Sequence, residues 1–122
     1  MPVVAMRTSP TNIGLQLLAI ATAAELGFIT LDDMTRRIEL VMRSLERMRR
    51  FRGHFYNWYD LRELRVLDPA YISTVDSGNL AGHLIALRQA CLAFADLPLF
   101  GPRSWTGMEA GLALAVERLR TP

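Results

Sequence analysis

The chemistry-bearing residues of this chain gather in two short segments. The first, Phe51-Arg52-Gly53-His54-Phe55-Tyr56-Asn57-Trp58-Tyr59-Asp60, holds five of the ten aromatic side chains. Aromatic faces beside Asn, Asp, Arg and His suit sugar rings. The CH face of a pyranose stacks on an aromatic ring while its hydroxyls take paired hydrogen bonds from the polar groups. The second segment, Ser73-Thr74-Val75-Asp76-Ser77-Gly78-Asn79, adds a carboxylate and an amide. The two segments thus offer Asp60 and Asp76, and a carboxylate pair is what cleavage or transfer at a glycosidic bond requires. These aspartates are the candidate catalytic groups. Each feature also has a plainer physical role. The aromatics could plug the end of a helical array, Asp60 could accept from backbone donors, and Asp76 is well placed to cap a following helix.

Other reactive residues carry less. His54 and His83 stand in no HxH or HxxxH spacing, so no metal site is expected, because metal-binding histidines need such a spacing to converge. No motif asks for a cofactor. His83 lies inside an apolar helix and reads as a histidine satisfied in the lumen of a helical array. The single cysteine, Cys91, allows neither an internal disulfide nor a CxxC knuckle, and its apolar neighbours make it inert core. Arg43, Arg47, Arg49, Arg50 and Arg52 form a basic cluster, but Glu39 and Glu46 interrupt it. That pattern belongs to a solvated helix face, and no nucleic-acid partner is expected.

Four helices must position these groups. Ser9 is a good N-cap ahead of Pro10, and Gly27 is a natural stop, which predicts a first helix over about residues 10–26. It is apolar almost all round, the mark of a helix buried on more than one side. Thr30 caps a second helix over about residues 31–50, with Asp32 and Asp33 in its first turn. Leu31, Met34, Ile38, Val41, Met42, Leu45 and Met48 make its core stripe. Its opposite face carries Asp32/Arg36, Asp33/Arg37, Glu39/Arg43 and Glu46/Arg50 at ion-pair spacing. The aromatic, turn-rich stretch that follows predicts a short hairpin of His54–Trp58 against Leu64–Leu67. A third, mostly apolar helix is expected over about residues 77–95. A fourth is expected over about 106–120, where Thr106 and Glu109 have capping-box spacing. Its stripe is Met108, Leu112, Ala115, Val116 and Leu119.

Composition bounds the rest. With 122 residues, 51% of them hydrophobic, and a net charge of +2, the chain is one unit or a piece of one, and it is not disordered. All 14 basic residues are arginine. No apolar run approaches the ~20 residues of a membrane span, and no signal peptide opens the sequence, so a soluble segment is expected.

Helices one and three read as buried, two and four as half-solvated. The openings of one and three also align, Asn12-Ile-Gly-Leu-Gln-Leu-Leu-Ala on Asn79-Leu-Ala-Gly-His-Leu-Ile-Ala, 67 residues apart. This is a weak helix-pair repeat. An α/α toroid, with inner helices sandwiched between a lumen and an outer ring, produces that alternation; a four-helix bundle would more often give four similar stripes. If helices one and three run parallel, their N-terminal segments, Arg7–Asn12 and Ser73–Asn79, meet at one mouth, and the aromatic loop reaches the same end.

At these residues a family is recognisable. Arg7-Thr-Ser-Pro-Thr-Asn-Ile-Gly-Leu, Phe51-Arg-Gly-His-Phe-Tyr-Asn-Trp-Tyr-Asp and Ser73-Thr-Val-Asp-Ser-Gly-Asn-Leu-Ala-Gly-His-Leu resemble the central, glucoamylase-like region of bacterial cyclic β-1,2-glucan synthases. Those are very large membrane-associated proteins that also have a glycosyltransferase part and a phosphorylase-like part. The resemblance covers about Arg7 to Ala95. It implies an all-α fold, with residues 1–122 as a single unit: a partial (α/α)6 toroid of two inner–outer helix pairs plus one aromatic loop. It also implies a transglycosylation or cyclisation role on β-1,2-linked glucan. Carried over residue by residue, it places Arg52, His54, Asn57, Trp58, Asp60, Asp76 and Asn79 along the substrate groove. Four helices are a third of such a toroid, so the chain alone is expected to be inactive. Its uncovered apolar faces call for the remaining helices of a larger parent or for a second copy. The alternative is a non-catalytic helical module that binds glycan or serves as scaffold.

Overall fold

The computed structural model describes residues 3–121. It is mostly helical: α1 (Pro10–Glu25), α2 (Leu31–Arg47), α3 (Thr74–Ala95) and α4 (Pro102–Arg120). Two small antiparallel sheets join them, so the chain is not purely α-helical. One pairs β1 (Arg7–Thr8) with β4 (Tyr59–Asp60), and the other pairs β2 (Arg50–Phe51) with β3 (His54–Phe55).

Local sequence explains the first two helix starts. Ser9 Oγ accepts from Asn12 N–H, with Pro10 opening α1, and Thr30 Oγ1 accepts from Asp33 N–H at the head of α2. Gly27, at φ +75°, turns the chain out of α1, a conformation that glycine adopts without steric penalty.

The later boundaries differ from the sequence expectation. Helix α2 ends at Arg47 rather than near Arg50, because Arg50–Phe51 is drawn into a hairpin with His54–Phe55. Arg52 (φ 49°) and Gly53 (φ +85°) are the two residues of its turn. Two successive positive φ values match the natural twist of a two-residue hairpin. The Glu46/Arg50 pair is consequently not formed. On the solvent face of α2, Asp33 takes both Arg36 (2.8 Å) and Arg37 (3.0 Å), in place of the expected Asp32/Arg36 pair. The expected pairing of His54–Trp58 with Leu64–Leu67 is also re-registered. Residues 58–60 lie against 65–67: Trp58 C=O accepts from Leu67 N–H, Tyr59 bridges Val66, and Asp60 N–H donates to Arg65 C=O.

Helix α3 begins at Thr74, capped by Ser73 Oγ on Asp76 N–H, so Asp76 is inside the first turn and is not the cap. Helix α4 begins at Pro102, four residues before Thr106. The Thr106 hydroxyl donates back to Pro102 C=O, and the expected capping box does not form.

Helices α1 and α3 run parallel and pack along their length, with Thr11 against Asp76 and Asn79, Gly14 beneath His83, and Ala24 beside Phe94. Gly14 is needed at this crossing, since a Cβ there would run into the His83 ring. Helix α2 lies antiparallel to α1, Ile13 and Met48 at one end and Ile20 and Arg37 further along. The core is Ile13, Leu17, Ala21, Ala24, Met34, Leu45, Met48, Tyr59, Leu80, Leu87 and Phe94.

The even burial expected of helices one and three is not realised. Each buries a single face, leaving Leu15 on α1, Leu26 at its C-cap, and Ile85 and Leu92 on α3 exposed. On α4 only Gly107 is buried, and the stripe from Met108 to Leu119 faces outward. An all-round apolar helix needs cover on all sides, and these four helices cover one side of each.

Candidate functional site

The mouth assembles around Asp76. Helix α1 presents Thr11, whose hydroxyl donates to Asp76 Oδ1 at 2.6 Å and accepts from Asn79 Nδ2 at 3.1 Å. The aromatic loop delivers Asn57, which is buried. Its amide has one orientation that satisfies every neighbour: Nδ2 donates to Asp76 Oδ2 (3.0 Å), while Oδ1 accepts from Trp58 Nε1 (2.6 Å) and from the Tyr71 hydroxyl (2.6 Å). Amide orientation is assigned from such partners. The backbone fixes the same contact, with Asn57 N–H donating to Tyr71 C=O. One carboxylate therefore ties together α1, the loop and α3.

Trp58 completes the cluster. The β1–β4 register sets Arg7 opposite Asp60, and the Arg7 guanidinium lies 4.4 Å from the Trp58 ring centroid. The indole is held at its edge by Asn57 and on one face by a cation. A ring so fixed can offer its other face as a flat platform.

Asp60 has a different environment. Oδ1 accepts from the backbone N–H groups of Arg62 (3.0 Å) and Glu63 (2.8 Å), and Oδ2 accepts from that of Arg65 (2.8 Å). Donation from Glu63, with lesser help from Arg65 and Arg62, holds its carboxyl below the usual carboxylate range. A group whose folded pKa is depressed stabilises the fold above its unfolded pKa of about 3.9 and ceases to do so as pH falls through the lower folded value. The Arg62–Arg65 turn is accordingly expected to loosen below about pH 4. Hydrogen exchange at the amides of Arg62, Glu63 and Arg65, followed across an acid titration, measures this. Asp60→Ala should show the loosened turn at neutral pH, and unchanged protection in that variant would contradict the assignment.

Of the residues expected along a groove, Asn57, Trp58, Asp76 and Asn79 come together, and Asp60 stands beside them in the β1–β4 pair. Arg52 and His54 do not join the cluster. They sit exposed on the β2–β3 hairpin, with Arg52 stacked on Phe51. Thr11 and Tyr71 are cluster members that sequence reasoning missed. Thr11 lay in the segment placed at the mouth, where its hydroxyl was a usable signal, whereas nothing in the pattern around Tyr71 marks it. Tyr59 was missed as the anchor. It is fully buried, its hydroxyl accepts from Tyr56 N–H and donates to Arg49 C=O (2.7 Å each), and burial raises its pKa.

Among the described residues no three His, Cys, Asp or Glu side chains are grouped so as to hold a metal ion, and no helix is long and apolar enough to cross a membrane.

Fold and site together define a mostly helical segment with a polar–aromatic cluster gathered at two parallel helix N-termini. No family model matches the chain. Over 97 residues, 80% of its length, it is 47% identical to the cyclic beta-(1,2)-glucan synthase NdvB of Rhizobium meliloti (strain 1021). The chain is therefore related to a short stretch of a bacterial cyclic β-1,2-glucan synthase. The aligned stretch is 3% of that protein's length.

Proposed function

We propose that the chain is a segment of the glucan-processing region of a cyclic β-1,2-glucan synthase, the part that transglycosylates or cyclises. In this reading its helices are two pairs of a glucoamylase-like (α/α)6 toroid, and the cluster around Asp76 is a stretch of the wall that binds β-1,2-linked glucan. The observation that carries the reading is the convergence of Thr11, Asn57, Trp58 and Asp76 from three separate chain segments, with every polar atom of the Asn57 amide engaged. Such a network holds the Trp58 ring rigid, and a pre-ordered ring stacks on a sugar with little further loss of entropy.

Asp60 is bound to three backbone donors and organises the loop. Asp76, shared between Thr11 and Asn57, orients the glycan-facing groups. Both carboxylates are engaged by hydrogen bonds within the chain, which supports a chain without turnover of its own. The same observation favours the second reading, a non-catalytic glycan-binding or scaffold module. The exposed apolar faces of α1, α3 and α4 then belong against other helices of a larger parent, or against a second copy of the chain.

Calorimetric titration with linear β-1,2-gluco-oligosaccharides tests the proposal. Wild-type chain is expected to bind saturably, and Trp58→Ala, which removes the platform, to bind about tenfold more weakly or not at all, a loss of about 1.4 kcal/mol or more. Absence of binding by the wild-type chain would leave only the scaffold reading.

A further inference from the structure

From Arg47 to Tyr59 the chain holds Arg47, Arg49, Arg50 and Arg52 and no acidic residue. The structure gathers this charge at one place. All residues from Arg49 to His54 are exposed, and they form the outer end of the β2–β3 hairpin. Among the described residues none of these four arginines has a carboxylate within ion-pair distance. Three of them are laid on aromatic rings instead: Arg49 over Tyr56 (5.6 Å), Arg50 over Phe55 (5.4 Å) and Arg52 over Phe51 (5.4 Å). A guanidinium on an aromatic face keeps its N–H edge free for oxyanions. Phe51 itself is half exposed, at 51%, next to the turn.

We propose that the β2–β3 hairpin is a docking surface for an anionic phospholipid bilayer. The arginines would meet lipid phosphates, and the Phe51 ring would enter the boundary between headgroups and acyl chains. Basic residues flanking an exposed aromatic are the combination that holds peripheral segments at that boundary. A bilayer fits better than a nucleic acid for two reasons. The charge is compact and does not continue as a track, since Glu39 and Glu46 interrupt it on the adjoining helix. A phosphate backbone also gives no apolar layer to a protruding phenyl ring.

Vesicle flotation with the full chain tests this. Vesicles of phosphatidylcholine with about 30 mol% phosphatidylglycerol, at about 0.1 M salt, are compared with phosphatidylcholine alone. The chain is expected to float with the anionic vesicles and to remain behind with the neutral ones. Arg49→Gln/Arg50→Gln/Arg52→Gln should weaken partitioning roughly a hundredfold, given the attraction of each surface arginine to an anionic leaflet. Phe51→Ser should weaken it several-fold with charge unchanged, and the corresponding triple lysine variant should retain it. Circular dichroism confirms that each variant is folded. Equal partitioning to both vesicle types, no response to the triple glutamine variant, or binding to a DNA duplex without binding to vesicles would each overturn the proposal.

Discussion

Tyr59→Phe is expected to destabilise the chain by roughly 2–4 kcal/mol, although it removes a single oxygen. The phenol hydroxyl satisfies two backbone groups at once, accepting from Tyr56 N–H and donating to Arg49 C=O. The side chain is wholly buried, so phenylalanine fills the same space but leaves both groups without that partner. An unsatisfied buried donor or acceptor costs about 1–3 kcal/mol. The two groups lie in different segments, the exit of α2 and the loop after β3, so the hydroxyl is the tie between hairpin and cluster. Thermal unfolding should shift down by roughly 6–12 °C, with Asn57 and Trp58 resonances moving although neither residue is altered. Tyr56→Phe, at a half-buried neighbour, serves as the control. A Tyr59→Phe midpoint equal to that of the control would mean the hydroxyl ties nothing.

Gly27→Ala should have an effect of similar size and a different reach, at about 2–6 kcal/mol. Two penalties combine. Gly27 sits at φ +75°, where an L side chain is strained by about 1–3 kcal/mol. Its added Cβ would also press into the carbonyl of Arg103, while the mirror substitution Gly107→Ala would press into the carbonyl of Gly27. Backbone meets backbone at this crossing and nothing soft can yield, so about 1–3 kcal/mol of overpacking is added. The contact is the foot of α4, held further by the Arg103–Glu25 pair at 2.9 Å. Little else anchors α4, whose apolar stripe faces outward. Gly107→Ala is therefore expected to release α4 selectively. Hydrogen exchange should show loss of protection from Arg103 to Arg120 while Leu17 and Leu87 stay protected. Uniform loss across all four helices would refute a local role for the crossing.

Helix starts illustrate what could be read along the chain. Ser9-Pro10 and Thr30 were legible because a cap acts within three residues and needs nothing from elsewhere. The start of α3 was not. Ser73, Asp76 and Ser77 all have capping side chains, and local preference does not choose among them. Asp76 is removed from that competition by Thr11, 65 residues away in sequence, and Ser73 then caps Asp76. The hairpin shows the same thing. Its aromatic, turn-rich composition was visible, but its register depends on Tyr59 being buried against the helices and on Arg7–Thr8 arriving as a partner strand.

Among the candidate residues, Asn57, Trp58, Asp76 and Asn79 lie together because helix direction brings the segments ahead of α1 and α3 to one end and the aromatic loop carries Asn57 and Trp58 to the same end. Thr11 joins through hydrogen bonds to Asp76 and Asn79, 65 and 68 residues away, and Tyr71 through its carbonyl and hydroxyl to Asn57; the Thr11 hydroxyl was visible in the sequence, but these partners were not. Arg52 and His54 carry the right chemistry in the right segment, yet a two-residue turn with positive φ at both positions swings them away.

Four helices, the apolar stripes of the second and fourth, the caps of the first two and the relation to a stretch of a cyclic β-1,2-glucan synthase could be read along the chain, since propensity, periodicity and identity are properties of neighbouring residues. Only the tertiary structure decided that Asp60 serves the backbone, that Asp76 is the hub of the cluster, and that the hairpin arginines point away from it. Hydrogen bonds are decided by which donors lie within about 3 Å in space: those of Asp76, from Thr11 and Asn57, come from distant parts of the chain, whereas those of Asp60 come from Arg62, Glu63 and Arg65 in a turn that the folded loop closes around its carboxylate.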